Sequence, residues 1–233
     1  MSLHSLPLTQ YMPMFLRAAW TTLWLTFAVY ASVFVVGTAV AIARFNRAKK
    51  LFFIPTSVYV EVIRNVPALV VLYLVYFGMP QFGLLLDNYD AGILVLTIVI
   101  AAYLGESLRG FLEEIPVGQW EASHSLGLGP TAVMFRVILP QVIRNAWPTL
   151  VNYLMIVLFA TSLLSVIDVR ELTNIAGFVN DETFRPVPSF LYALVLYVVI
   201  SSILQLLAAG LYVIVDPQRI AARRRRKWDS ALS

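Results

Sequence analysis

The sequence contains no cysteine, and its only histidines among 233 residues are His4 and His124. A disulfide framework and a thiolate metal site are therefore excluded, and two distant imidazoles without partner ligands do not make a metal centre. Charge is sparse as well, at 13% of residues, against about a quarter in an ordinary soluble domain. No glycine-rich run ends in Lys-Ser or Lys-Thr, so no P-loop is available for nucleotide phosphates. No Ser/His/Asp set can be assembled either. The chain reads as no enzyme, and any catalysis must come from another chain. The beginning lacks the basic stretch, short apolar core and small-residue cleavage site of a signal peptide. No internal repeat is visible, although many secondary transporters are built from inverted repeats within one chain.

What remains is mostly apolar. Hydrophobic residues make up 60% of the chain and the mean hydropathy is +0.79. Apolar runs long enough to cross a bilayer recur along the sequence without period-two alternation. That predicts an all-α polytopic transmembrane bundle rather than a barrel, with residues 1–233 forming one membrane domain. The expected spans are approximately 14–43, 51–79, 91–112, 145–167 and 189–215. Basic residues gather at span ends: Arg44, Arg47, Lys49 and Lys50 after the first, and Arg219, Arg223, Arg224, Arg225, Arg226 and Lys227 after the last. The 80–90 linker carries Asp87 and Asp90 and no Lys or Arg. This asymmetry predicts an N-terminus outside and a C-terminus in the cytoplasm. It also accounts for the net charge of +4 by topology and contact with anionic lipid, not by nucleic acid. Five spans are too few to enclose a solute path, so a dimer is expected.

The second span is interrupted by Glu61, Arg64, Asn65 and Pro67. Proline removes a backbone donor and disfavours helix before it. Freed carbonyls at membrane depth are tolerated only against protein or a wet cavity, so a broken helix lining a pathway is expected. Glu61 and Arg64, three apart, can pair, and intramembrane charge points to function. Asn65, Thr161 and Ser162 are further pathway candidates. Glu106 and Arg109 form a second three-apart pair, of structural or gating character. The 113–144 linker is a polar island. Pro116 can start a short helix over residues 117–126, Gly127, Gly129 and Pro130 end it, and Pro140 breaks the next helix. The result is a rigid knob with Glu121 as a fixed charge for a partner.

Glu121-Ala122-Ser123, then Gly127, Val137 and Leu139-Pro140 resemble the EAA loop of ATP-binding-cassette (ABC) importer permeases. The spacing agrees throughout, with Ser123 in place of Ala and Val137 in place of Ile. Glu61–Pro67, Leu74–Pro80, Ala102–Glu106 with Arg109-Gly110, Ile115–Ala122 and Thr161–Ile167 resemble the polar amino acid subfamily. The resemblance implies a type I permease of a bacterial inner membrane. Its partners would be ATP-hydrolysing subunits that bind ATP and Mg, a second permease, identical or homologous, and a periplasmic or extracellular solute-binding protein. Glu121, Ala122, Ser123, Gly127, Leu139 and Pro140 would couple to the ATPase, while Glu61, Arg64, Asn65, Thr161 and Ser162 would line the pathway. Two departures fall in the pathway: Phe159-Ala160 stand where the subfamily has Lys-Asp, and Asn65-Val66 where it has Gly-Thr. The competing reading is a stand-alone ion-coupled transporter or channel. The missing repeat and the coupling loop count against it.

Overall fold

The computed structural model describes residues 8–45 and 49–215. His4, Arg47 and the basic cluster from Arg219 to Lys227 lie outside the described residues. All elements among the described residues are helical.

A 3-10 turn at Leu8–Tyr11 leads into α1, Met12–Phe45. Its 34 residues make a rod of ~50 Å, longer than the ~30 Å hydrocarbon core of a bilayer. Its buried residues Ala18, Thr22, Leu25, Val29 and Val33 recur at steps of three and four, the stripe of a packed helix face. α2 covers Lys50–Arg64 and α3 covers Ala68–Tyr73, the latter prolonged by a π turn at Leu74–Gly78 and a 3-10 turn at Met79–Phe82. These two arms meet at 107°. Pro67 supplies the cause, since it has no N–H to donate and disfavours helix at Val66. Asn65 Nδ2 donates to the Glu61 carbonyl at 2.7 Å, and Tyr103 Oη donates to that of Arg64 at 3.0 Å. Side chains thus satisfy carbonyls left by the break, as an apolar surround requires.

α4, Asn88–Glu113, is capped by Asp87, whose carboxylate accepts from the Asp90 amide at 2.8 Å. α5, Val117–Ser125, is followed by a single turn, α6, at Pro130–Ala132. A π turn at Val133–Ile138 joins α6 to α7, Leu139–Ala160, and a 3-10 stretch continues to Ile167. α8 covers Leu172–Thr183 and α9 covers Pro186–Val215. Four helical runs are long and apolar enough to cross a membrane, and the bent α2–α3 pair makes a fifth if it counts as one span. α4 is the centre of the bundle, with 67% of its most apolar stretch buried, whereas α9 has 17% and faces outward. α1 and α4 form the most extensive helix pair.

Three features depart from the sequence expectation. The fourth span begins at Pro130, not at 145. Pro140 does not break it: the preceding π turn rearranges the backbone bonding, and Gln141 Nε2 donates to the Val137 carbonyl at 2.8 Å. The 168–188 linker contains a helix, α8, whose buried Leu172, Ile175, Ala176 and Val179 pack on Phe15 and Ala18 of α1 and Ala193 of α9.

Candidate functional site

The knob forms as a nine-residue helix outside the bundle, α5. Pro116 precedes it as N-cap residue, and Gly127 leaves it at φ 74°, a left-handed turn that favours glycine. Glu121 and Ala122 are exposed, while Ser123 is buried and donates to the Gln119 carbonyl at 2.7 Å. Besides packing on the Val133–Ile138 turn, α5 is fixed to α1 and α7 by two side-chain contacts. Trp120 stacks on Phe45 at the end of α1, with ring centroids 5.5 Å apart and planes at 16°. Gln119 Oε1 accepts from Gln141 of α7 at 3.3 Å. Leu139 is half-buried and Pro140 exposed; both lie on the helix that α5 touches through Gln141.

At the same end of the bundle, Glu106 and Arg109 do meet. Arg109 Nη2 lies 2.7 Å from Glu106 Oε1, and Arg109 Nη1 lies 2.5 Å from Glu113 Oε1. Arg44 of α1 binds the other carboxylate oxygen of Glu106 and donates through Nε to Ser57 of α2 at 3.3 Å. The Glu106 carboxylate therefore ties α4 to Arg44 of α1, and Arg44 extends the link to α2. The sequence reading placed Arg44 only among topogenic charges. Its partner is 62 residues away, which no local spacing reveals.

Glu61 and Arg64 do not pair. The helix ends right after them, and the Arg64 guanidinium instead lies over the Tyr103 ring, 5.5 Å from its centroid. Both charged residues and Asn65 are exposed. Thr161 is fully buried and its hydroxyl donates to the Leu158 carbonyl at 2.7 Å, so it sits in the core and not on an open surface. Ser162, half-buried, donates to the Phe159 carbonyl at 2.6 Å.

The opposite end holds a polar nest that the sequence reading missed. Glu171 is 0% exposed. Its carboxylate caps α8 by accepting from the amides of Thr173 at 2.9 Å and Asn174 at 2.7 Å, and it accepts from Tyr197 Oη of α9 at 2.7 Å. Burial pushes this carboxyl above its ordinary range, and the donated hydrogen bonds oppose that rise. Apolar spacing at 172, 175, 176 and 179 was the available signal for the helix, and a negative charge at its start suits the positive end of the helix dipole.

Helical spans, a charged break in one of them and a short helix hung outside the bundle define the membrane subunit of a transport system. A family model described as "Binding-protein-dependent transport system inner membrane component" matches residues 33–220. The chain therefore belongs to that family, the permease subunits of ABC importers. It is 33% identical over 188 residues to the "Probable glutamine ABC transporter permease protein GlnM" of Bacillus subtilis (strain 168), covering 81% of this chain and 87% of that one. It is 34% identical over 205 residues to the "Probable amino-acid ABC transporter permease protein y4tG" of Sinorhizobium fredii, covering 88% and 87%. A solved "amino acid ABC transporter with histidines" superposes with a TM-score of 0.81 at 31% identity, covering 91% of this chain and 99% of that one.

Proposed function

We propose that this chain is the permease of a bacterial inner-membrane importer for polar amino acids. It pairs with a second permease, identical or homologous, so that the pathway lies between the two. A soluble binding protein delivers the solute on the outside. ATP and Mg are bound by separate ATPase subunits, and the chain has no catalytic site of its own. The N-terminus and α8 face outward; α5, with Arg44, Lys49 and Lys50 at the same end, faces the cytoplasm. α9 presents its apolar side to lipid.

The observation that carries this reading is the mounting of α5. A push on an exposed helix does work only if the helix cannot yield independently. Here the Trp120–Phe45 stack reaches α1 and the Gln119–Gln141 bond reaches α7, and Glu121 is left exposed for a partner. Glu121, Ala122, Ser123, Gly127, Leu139 and Pro140 form the coupling region. Displacing it moves the spans that bound Glu61, Arg64, Asn65 and Ser162 in the pathway, with Thr161 supporting from the core. The Glu106–Arg109 pair, with Arg44, holds the cytoplasmic end together.

The test is ATP-driven uptake of labelled amino acids by vesicles containing this chain with its co-purified ATPase and permease partner, supplied with the soluble binding protein. Glu121→Lys is expected to abolish uptake while the chain still inserts. Solute accumulation by vesicles holding the chain without an ATPase would reject the reading and support a stand-alone transporter.

A further inference from the structure

A cavity of about 570 Å³ opens at the end of the bundle that carries α8, between that helix and the 3-10 stretch after α7. Its wall brings one guanidinium, Arg170, together with two carboxylates, Asp168 and Asp181, and two phenyl rings, Phe178 and Phe190. All five side chains are exposed. Among the described residues, none of the three charged groups is closed into an ion pair. Asp168 is held in position: its backbone carbonyl accepts from Asn88 Nδ2 at 2.9 Å, and its Oδ1 accepts from Asn174 Nδ2 at 3.2 Å. Its Oδ2 accepts no hydrogen bond among the described residues. Ser165, in the same wall, donates to the Ser162 carbonyl at 2.7 Å, so the cavity adjoins the stretch assigned above to the pathway. The volume lies within the range of small-molecule pockets, about 300–1,000 Å³, and admits a single amino acid.

We infer that this cavity is an entry site that takes an α-amino acid by its backbone groups, Arg170 binding the α-carboxylate and Asp168 and Asp181 the α-ammonium. The inference rests on the amino-acid reading above, with α8 facing outward, and adds which part of the solute is recognised. A guanidinium presents two parallel donors that match a carboxylate, and an ammonium has three donors for carboxylate oxygens. A solute without the carboxylate sets a lone positive charge beside Arg170. One without the ammonium sets a negative charge beside two carboxylates. The solute's side chain is left to the open mouth and the phenyl rings, so polar amino acids are received alike. Hydrated, exposed charges hold one another weakly, which suits a site that must also release what it binds.

Saturation-transfer NMR on the permease with its ATPase in lipid nanodiscs, without binding protein, measures three probes: L-glutamine, its α-amide, which has no α-carboxylate, and glutaramate, which has no α-ammonium. L-glutamine is expected to bind several-fold tighter than either, and L-asparagine to match it. Arg170→Glu is expected to reverse the ranking of L-glutamine and its α-amide, a gain of amide binding that misfolding cannot produce. Equal binding of the three probes, or an unchanged ranking in Arg170→Glu, overturns the inference. So does a variant that loses attachment of the soluble binding protein while its affinity for L-glutamine stays the same, since the surface then docks that protein. An absence of binding while the assembled importer still takes up labelled amino acids overturns the inference and leaves the amino-acid reading standing. Failure of the assembled importer to take up any amino acid removes both.

Discussion

Gly105 of α4 lies directly against Gly37 of α1: a β-carbon added at Gly105 would sit 3.1 Å from the Gly37 carbonyl oxygen and 2.8 Å from Val40 Cγ1. Small residues at a helix crossing let backbones approach closely in a membrane. A carbonyl in the middle of a helix has nowhere to retreat. Gly105→Leu is therefore expected to destabilise the bundle by about 1–3 kcal/mol, the usual cost of overpacking. Thermal unfolding in detergent measures it. Gly110→Leu, where an added β-carbon has no neighbour within 4 Å, serves as the tolerant control.

In the proposed coupling, Trp120 carries force to α1 through its stack on Phe45. Trp120→Ala removes a pair worth about 0.5–1.5 kcal/mol beyond its buried area, and lets α5 shift without α1. ATPase binding is expected to persist while uptake per ATP hydrolysed falls several-fold. Unchanged coupling in this variant would mean that α5 transmits through the fourth span without the stack on α1.

Gly127 has open space around its missing β-carbon but a φ of 74°. Any cost of substitution there is a backbone cost, about 1–2 kcal/mol for an L-residue in the left-handed region. Gly127→Val is expected to disorder the exit from α5 and depress uptake several-fold. Gly127→Asn, which tolerates that region, is expected to stay near normal. Equal damage from both would point to a contact with a partner, not to backbone strain.

Glu106 is the shared carboxylate of the Arg44–Glu106–Arg109 cluster, with its side chain 24% exposed. Glu106→Gln leaves two guanidinium groups facing each other. The expected loss is about 1–3 kcal/mol, between an exposed and a buried pair. Arg109→Gln is milder, since Arg44 keeps its partner. Melting temperatures of the two variants check the order.

Glu171 gives stability a pH dependence of known sign. Its folded carboxyl is pushed upward by burial, so the folded state binds the proton more tightly than the unfolded chain. Its contribution is fully present below the ordinary carboxylate range and is lost as pH rises through the folded value. Glu171→Gln cannot ionise. Melting curves across that window should slope less in the variant than in the parent, and identical slopes would assign the dependence to other groups.

Much of this was legible in the sequence because the signals were local. The limits of α5 follow from Pro116 and Gly127, and the elbow at Asn65-Val66-Pro67 follows from proline stereochemistry. Pro140 misled, because a π turn one step earlier accommodates it and no residue type marks such a turn. The linker's charges drew attention away from the apolar spacing of α8. Arg44 and Tyr103 took on their roles only through distant partners, Glu106 and Arg64, so periodicity had nothing to report.

The outward orientation of α9 has a practical consequence when joined to the absence of cysteine. Leu206 is 74% exposed on that helix, and the chain offers no native thiol to compete. A single cysteine at 206 would be a unique attachment point for a spin label or dye. Paired with a label on the proposed second permease, it becomes a ruler that reads how far two transporter halves separate in each stage of their cycle.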